Sequence, residues 1–393
     1  MTVATRSRDM EGLAGARSRH TRKGLTISGL AVVVAATAFA VRLWIALRGG
    51  GISGTDGYDD GVYYAASSSL LWGRLPYRDF VMLHPPGIML ALTPFALLGR
   101  ITRDHVGFET ARVAWMLVGA LNATLVLRVC RRGGLVAATA GGLFYAVWTP
   151  VALTETTVRL EPLVTLGLLA ALTLLTRQAG PPTPRVLLWV GAALALSTSV
   201  KIWALAPGLL ILLWLWRRVG IRAVGWAVLG GLAAGLLVDG PFLLAAPTRM
   251  FRMVVLDQLG RGRTPTDTFA RLADIFAPGP VLPGQWSPDP VTLVTAGLAL
   301  VLACLACLAS GPGRFALSLL GVEVLVLVLS PSFFSYYSAF AAPGMALVVA
   351  QVVHWILDLR RTRTSPPLAG VSTRVGFGVV LALGPLVAMT TAL

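Results

Sequence analysis

The sequence predicts an all-α integral membrane protein with about eleven transmembrane helices. Of its 393 residues, 56% are hydrophobic and 13% are charged, and the mean hydropathy is +0.76. A soluble protein of this length carries about a quarter of its residues charged. The apolar residues recur in blocks of about twenty, the length that a helix needs to cross a hydrocarbon core of roughly 30 Å. Composition and block length together exclude a soluble globular domain.

The apolar blocks define the spans in chain order. Residues 1–24 are polar and basic, and we expect a disordered cytoplasmic tail there. The block that follows is too long for the core of a signal peptide, so it is predicted to be a retained first span. Residues 25–393 then form a single transmembrane domain. The predicted spans are 25–47, 105–129, 135–153, 162–176, 186–200, 203–216, 223–246, 291–310, 315–329, 338–357 and 375–393.

Arginine clusters predict the orientation of the spans. With a cytoplasmic N-terminus, every second loop carries arginine, as the positive-inside rule requires. These loops contain Arg128, Arg131, Arg132, Arg177, Arg185, Arg217, Arg218, Arg222, Arg314, Arg360, Arg361, Arg363 and Arg374. The net charge of +16 is therefore a topology signal, and we exclude nucleic acid as a partner. The prediction is a multi-pass protein of the cell membrane.

Acidic residues concentrate in the predicted outer segments. Aspartate and glutamate contribute little to insertion topology, so this asymmetry favours chemistry on the extracytoplasmic face. Two outer segments are long, and we call 48–104 the first long loop and 247–290 the second long loop. Long loops in compact proteins are usually functional. Within the first long loop, 62–72 and 86–98 are predicted to be helices lying on the membrane surface.

The strongest local motif lies in the first long loop. It comprises GYDDGVYYAASSSLLWGRLPYRDF at 57–80, followed by HPPG at 84–87. Asp59 and Asp60 come just before a short predicted helix. A carboxylate at the membrane surface can act as a general base towards a hydroxyl group. Alternatively, one aspartate caps the helix and its neighbour is solvated.

These residues resemble the first outer loop of GT-C fold glycosyltransferases. The shared features are the acid pair followed by a tyrosine, the A-x(n)-L-L-x-G-x-x-P-Y-x-D stretch, and the downstream H-P-P-G. More narrowly, they resemble bacterial relatives of protein O-mannosyltransferases and aminoarabinose lipid A transferases, which use polyprenyl-phosphate sugar donors. Weaker matches follow in the family's order at 156–163, Lys201, 257–263 and 335–350. The last is similar to the family's H-Y-x(5)-P stretch, with Tyr336 in place of the histidine.

The resemblance implies roles for the acid pair and for the residues before the two prolines. Asp59 would be the catalytic base, and Asp60 would support it or contact the acceptor. Many relatives carry a lysine that holds the donor phosphate, with an acid before it, whereas this sequence has His84 and Leu83. This departure leaves open both the phosphate contact and a metal site built on that acid. A divalent cation is therefore possible, and no cofactor is certain.

Cationic residues in the outer segments are candidates for binding the donor phosphate. Arg261 and Arg263 lie where topology does not require positive charge, and Lys201 lies at an outer span end. A phosphate leaving group needs such cations, and arginine binds phosphate bidentately. His84 and Tyr337 join them as candidate phosphate ligands. The alternative for the cations is contact with lipid headgroups.

Arg159, Glu161 and Tyr336 are the candidate ligands of the sugar or the acceptor. Arg159 and Glu161 flank a leucine, so in an extended segment their side chains would share one side. They are expected to pair with each other, or Glu161 contacts the substrate. Asp239 and Glu323 fall inside predicted spans, where a charge costs at least roughly 2.5 kcal/mol on insertion scales. Gly240-Pro241 after Asp239 predicts a helix break there.

The expected function is that of an inverting glycosyltransferase; the inversion is implied by the resemblance. It would move mannose, or another hexose or pentose, from a polyprenyl-phosphate donor to a hydroxyl group of a glycan, glycolipid or protein. The reaction would serve cell-envelope glycan or glycolipid synthesis at the outer face, in contact with membrane lipid. The first alternative is a transporter or flippase of lipid-linked intermediates, with Asp239 and Glu323 relaying protons. A second is transfer of a phospho-sugar on the same fold, and a third is a non-catalytic scaffold, which would leave the two long loops unexplained.

Overall fold

A computed structural model of the protein describes residues 27–54, 57–177, 180–276 and 290–363. Within these ranges the chain consists of helices and connecting segments, without a β-strand. The helices are α1 (Ile27–Arg48), α2 (Asp59–Leu71), α3 (Gly87–Ile101), α4 (Asp104–Cys130), α5 (Leu135–Val147), α6 (Thr149–Thr154), α7 (Glu161–Arg177), α8 (Pro184–Thr198), α9 (Leu205–Val219), α10 (Ile221–Val238), α11 (Gly240–Ala245), α12 (Pro247–Phe251), α13 (Asp257–Leu259), α14 (Thr268–Phe276), α15 (Pro290–Leu308), α16 (Gly311–Leu329) and α17 (Ala342–Arg363). The all-α prediction is confirmed.

Ten of the predicted spans coincide with described helices. Six helical stretches are long and apolar enough to cross a membrane. They are Ile27–Arg48, Asp104–Gly133, Ile202–Val219, Ile221–Val238, Gly311–Leu329 and Ser335–Arg360. Shorter apolar helices supplement them, including Leu135–Val147 and Pro184–Thr198. The tail 1–24 and the span 375–393 lie outside the described residues. The helices therefore support a multi-pass membrane protein, and the count of eleven spans stays a prediction.

Two predicted spans are interrupted. The span 223–246 breaks between α10 and α11 at Asp239, one residue before Gly240-Pro241, as the sequence predicts. The span 135–153 was expected to be continuous, and this was wrong. Trp148 adopts an extended conformation between α5 and α6, and Pro150 occupies the first turn of α6. Proline has no N–H group to donate to the preceding turn, so the helix restarts at this point.

Buried ionic and polar side chains tie α1, α4 and α5 to the end of α6. Arg42 Nε donates to Glu155 Oε2 at 2.6 Å, and both side chains are fully buried. Glu155 Oε1 accepts hydrogen bonds from Tyr145 Oη at 2.8 Å and Asn122 Nδ2 at 3.3 Å. This network was not predicted, because Arg42 lies within an apolar block and Glu155 falls between two predicted spans. The network fixes the start of the segment 155–160, which leads into α7.

The two long loops converge on the end of α8. Gly87 N, at the start of α3, donates to the Ser199 carbonyl at 2.7 Å. Gln258 Nε2, from the second long loop, donates to the carbonyl of Leu83 at 2.6 Å. Within the first long loop, Tyr77 Oη donates to the His84 carbonyl at 2.7 Å. These contacts gather the conspicuous motifs of the sequence at one end of the helix bundle.

Candidate active site

Asp59 is held by two donors that act on the same carboxylate oxygen. It is the first residue of α2, and its Oδ2 lies 2.5 Å from Arg159 Nη1 and 2.7 Å from Tyr336 Oη. The Arg159 guanidinium also lies over the Tyr336 ring, 4.1 Å from its centroid. The Asp59 side chain remains 30% exposed. The carboxylate is thus fixed in orientation and still accessible.

The backbone of Arg159 is anchored to α4. Its carbonyl accepts a hydrogen bond of 2.7 Å from Trp115 Nε1 on α4. Gly57 lies against the guanidinium with a φ of +105°, and a Cβ at this residue would lie 2.6 Å from Arg159 Nη2. Glycine is therefore required at residue 57 both for conformation and for space. The close packing leaves the Arg159 side chain only 11% exposed.

The charge environment keeps Arg159 protonated. Burial by itself lowers its pKa, and the neighbouring Tyr336, Asp59, Glu161 and Asp60 outweigh this effect and raise the pKa above the usual value. Asp60 is 1% exposed, so it belongs to the interior of the site and is not a solvated neighbour of Asp59. Both members of the acid pair thus contribute to the environment of one arginine.

Tyr63 is a site residue that the sequence analysis missed. It lies one helical turn after Asp59 on α2, and its ring centroid is 5.8 Å from that of His84. Burial raises its pKa well above the usual value, and the nearby Asp59, Glu161 and Tyr337 raise it further. Its hydroxyl group is therefore a protonated donor. The i, i+4 spacing from Asp59 was the signal that could have identified it.

Lys201 and Glu161 form a buried ion pair. The Lys201 Nζ to Glu161 Oε1 distance is 2.6 Å, and each side chain is 2% exposed. The ammonium group also lies 3.7 Å from the Trp203 ring centroid and 4.0 Å from that of Tyr337. The expected pairing of Glu161 with Arg159 was wrong. Glu161 is the first residue of α7 and is not in an extended segment, so its side chain points towards Lys201.

His84 lies between the long loops and close to two cations. It is 9% exposed, and its pKa is lowered well below the usual value, first by burial and then by Lys201 and Arg261. The imidazole is therefore neutral at neutral pH and can offer a hydrogen bond but no positive charge. Arg261 is partly exposed near His84, whereas Arg263 lies on the exposed part of the loop. Of the two arginines, Arg261 is therefore the one whose charge acts on His84.

An apolar groove adjoins the cationic part of the site. The cavity measures about 420 Å³ and is formed mainly by α8, α9 and α10. One part of its wall contains Pro85, which follows His84, together with Ser199 and Ile202, which lie close to Lys201 in the chain. Asp239 also lines this groove, and its Oδ2 accepts a hydrogen bond of 2.5 Å from Ser199 Oγ. A long apolar chain could thus lie beside a cationic headgroup site.

Comparison with known proteins identifies the fold. No protein-family model matches the sequence, and no curated protein does either. Among solved structures, ArnT from Cupriavidus metallidurans in the apo state is similar with a TM-score of 0.63 and 17% identity over 92% of this chain. Its complex with undecaprenyl phosphate gives a TM-score of 0.59 and 18% identity over 92% of this chain. The apo oligosaccharyltransferase of Archaeoglobus fulgidus gives 0.57 and 14%, again over 92%.

Both relatives are GT-C fold membrane glycosyltransferases. This chain has the GT-C fold. The fold expected from the first-loop motif is therefore confirmed. The chain spans 65% of the apo ArnT chain, 66% of the ArnT chain in the complex and 55% of the oligosaccharyltransferase.

The GT-C fold brings together nearly all of the residues singled out from the sequence. Direct contacts link the residues Asp59, Arg159, Glu161, Lys201, Tyr336 and Tyr337. His84, Asp60 and Arg261 join them through their charge environment. In the part of the chain that the structure describes, His, Cys, Asp and Glu side chains form no group of three that could hold a metal ion. The protein ligands of the described residues therefore do not fit a resident metal ion.

Proposed function

We propose that the protein is a glycosyltransferase that moves a sugar from a polyprenyl-phosphate donor to an acceptor hydroxyl group at the outer face of the cell membrane. The sugar is mannose or another hexose or pentose. The acceptor is a glycan, glycolipid or protein of the cell envelope. The observation that carries this proposal is the accessible Asp59 carboxylate, held by Arg159 and Tyr336 on a GT-C fold.

Asp59 acts as the general base. Its Oδ2 is occupied by Arg159 and Tyr336, which leaves the other oxygen of a 30% exposed carboxylate to receive a proton. The acceptor O–H bond breaks, and its proton passes to Asp59 as the oxygen attacks the anomeric carbon. The bond from that carbon to the phosphate oxygen breaks, and its electron pair leaves with the polyprenyl phosphate. A single displacement of this kind inverts the anomeric carbon.

Cations and neutral donors stabilise the departing phosphate. Arg261 is partly exposed beside His84 and can bind phosphate bidentately. Neutral His84 and the Tyr337 hydroxyl group donate hydrogen bonds to phosphate oxygens. Lys201 contributes positive charge close to the leaving group, with Glu161 holding the ammonium in place. Arg263, on the exposed part of the same loop, attracts the headgroup as it approaches.

The apolar groove beside this site accommodates the lipid tail of the donor. It is lined almost entirely by aliphatic side chains and glycines of α8, α9 and α10. A lipid-linked donor needs such a surface next to its phosphate site, since its isoprenoid chain cannot enter water. One solved structure with the same fold, that of ArnT, contains undecaprenyl phosphate. The position of the groove beside Pro85 and Ser199 is what supports this part of the proposal.

The proposal is tested by transfer of radiolabelled mannose from polyprenyl-phosphate mannose in membranes that contain the protein. We expect Asp59→Asn to lower the transfer rate by about 100-fold or more, the contribution typical of a general base. The matched control is Asp79→Asn, because Asp79 belongs to an exposed ion pair with Arg78 in the same loop. A folded Asp59→Asn variant with normal transfer would refute the assignment of the base.

The lipid product separates this function from its alternatives. Sugar transfer releases polyprenyl phosphate, whereas phospho-sugar transfer releases free polyprenol, and the two are resolved by thin-layer chromatography. A flippase moves the labelled donor across a vesicle membrane without consuming it. Donor translocation without transfer, over a panel of polyprenyl-phosphate sugars and acceptors, would replace the proposed enzyme with a transporter.

A further inference from the structure

Glu323 is a carboxyl side chain in an apolar helix, and the proposed reaction does not use it. It lies on α16 and is 0% exposed. Its Oε2 accepts a hydrogen bond of 3.0 Å from the backbone N–H of Gly344, while Oε1 has no hydrogen-bond partner within the described residues. A charge at this depth in a bilayer is costly. The neutral acid, with its proton on Oε1, avoids this cost and keeps Oε2 as an acceptor.

The hydrogen bond from Gly344 joins two helices at close range. Gly344 is in the first turn of α17, where backbone N–H groups lack acceptors within the helix. A Cβ at Gly344 would lie 2.5 Å from Glu323 Oε2 and 2.6 Å from Leu320 Cα. The glycine therefore allows the start of α17 to lie directly on the backbone of α16. Glu323 accepts the hydrogen bond that joins the two helices at this point.

The start of α17 directly follows two site tyrosines. The helix continues directly from the 3-10 segment Ser335–Ala341, which contains Tyr336 and Tyr337. Tyr336 Oη donates to Asp59, and the Tyr337 ring packs on Lys201. The first turn of α17 therefore holds this segment from one side, and Thr154 Oγ1, which donates to the Tyr336 carbonyl at 3.3 Å, holds it from α6.

We infer that Glu323 is a positioning residue: as a neutral acceptor it fixes the first turn of α17 on α16 and thereby holds Tyr336 against Asp59. The inference gives a role to a buried carboxyl group that has no ion-pair partner among the described residues. Its effect on activity rests on the proposed function, whereas its effect on the structure of the 335–345 segment does not.

The test compares Glu323→Gln with Glu323→Met in lipid nanodiscs. Glutamine keeps a neutral acceptor oxygen, and methionine keeps the length without the acceptor. Hydrogen–deuterium exchange is followed by mass spectrometry for peptides that cover residues 335–345. We expect faster exchange in Glu323→Met and wild-type exchange in Glu323→Gln. Normal exchange in Glu323→Met, or equally fast exchange in Glu323→Gln, would overturn the inference.

Kinetic measurements distinguish a positioning role of Glu323 from a general contribution to stability. We expect Glu323→Met to lower kcat about tenfold, with the donor KM within about twofold of wild type, as for loss of one hydrogen bond to a charged group. In a Tyr336→Phe background the same substitution should have little further effect, because the hydrogen bond it positions is already absent. Independent, multiplicative losses would contradict the inference.

A second variant tests the same contact between α16 and α17. If Glu323→Met does not fold, Gly344→Ala disturbs the same contact from the α17 side, and the same exchange and kinetic results are expected. If wild-type protein transfers no sugar, the proposed function fails and the exchange experiment alone decides the role of Glu323.

Discussion

Arg159 Nη1 lies 2.5 Å from Asp59 Oδ2, although the two residues are 100 positions apart in the chain. The same guanidinium stacks on the Tyr336 ring, which itself donates to Asp59. Each member of this trio therefore fixes the other two. The arrangement gives the carboxylate one preferred orientation, which is what a general base needs in order to meet an incoming hydroxyl group.

Replacing Arg159 with lysine should impair catalysis more than binding. An ammonium group is a point charge and cannot both pair with Asp59 and stack flat on Tyr336. We expect Arg159→Lys to lower kcat by about 10- to 100-fold, with a smaller change in the donor KM. Steady-state transfer of labelled sugar measures both constants. Arg78→Lys is the control, since Arg78 is exposed and pairs with Asp79. A change in KM alone would contradict the orienting role of Arg159.

Breaking the Lys201–Glu161 pair from one side should destabilise the protein more than removing both charges. Each single substitution, Lys201→Met or Glu161→Gln, leaves one buried charge without its partner at a cost of about 3–5 kcal/mol. The double variant leaves neither charge and should be more stable than either single variant. Thermal unfolding in one detergent compares the four proteins. A double variant less stable than both single variants would rule out this coupling.

Filling the apolar groove should weaken donor binding without loss of stability. Gly208 lines the groove, and a Cβ there would meet no atom within 4 Å. We expect Gly208→Leu to raise the donor KM by about tenfold or more, because a leucine side chain occupies the space of an isoprene unit. The control is Gly225→Leu, which also has open space around its Cβ but lies outside the groove. Equal effects of the two substitutions on KM would show that the tail binds elsewhere.

Buried His84 should make the protein less stable as the pH falls. Its pKa is lowered in the folded state by burial, Lys201 and Arg261, so below about pH 6.5 the unfolded chain binds a proton that the folded chain does not. Stability is then lost with decreasing pH, by about 1.4 kcal/mol per unit below that value. We expect His84→Gln to lose less stability than wild type between about pH 7 and pH 5. Chemical unfolding at each pH measures the difference, and parallel curves would contradict it.

The sequence predicted the elements whose signals are local. Apolar block length located the spans, and Gly240-Pro241 located the end of α10. The first-loop helix was predicted at 62–72 with the acid pair before it, whereas α2 begins at Asp59 and contains both acids in its first turn. The ion-pair partners could not be predicted from local sequence signals. Arg159 and Glu161 are two positions apart, yet they pair with Asp59 and Lys201, 100 and 40 positions away. Once α7 begins at Glu161, helix geometry separates the two side chains, and tertiary packing decides the partners.

Buried polar contacts inside the bundle were also beyond sequence reasoning. Arg42 was one charge in an apolar block, and its partner Glu155 is 113 positions away. A hydropathy value averaged over a window hides a single charged residue among apolar neighbours. It also cannot identify the partner of that residue. Tyr63 was part of the first-loop motif, but only its contact with His84 makes it a site residue. Most residues of the candidate site were therefore predicted from the sequence, whereas their contacts became known only from the structure.

The hydrogen bond from Tyr336 to Asp59 joins residues 277 positions apart. A ribosome synthesises Asp59 early, and the nascent chain must add and insert many further helices before Tyr336 can reach it. Until then Asp59 lacks one of the two side-chain donors that hold its carboxylate. A chain halted before α16 would carry the acid pair, Arg159 and Lys201 but would lack the Tyr336 contact to Asp59. The surroundings of Asp59 are therefore completed only after the chain beyond α16 has been inserted.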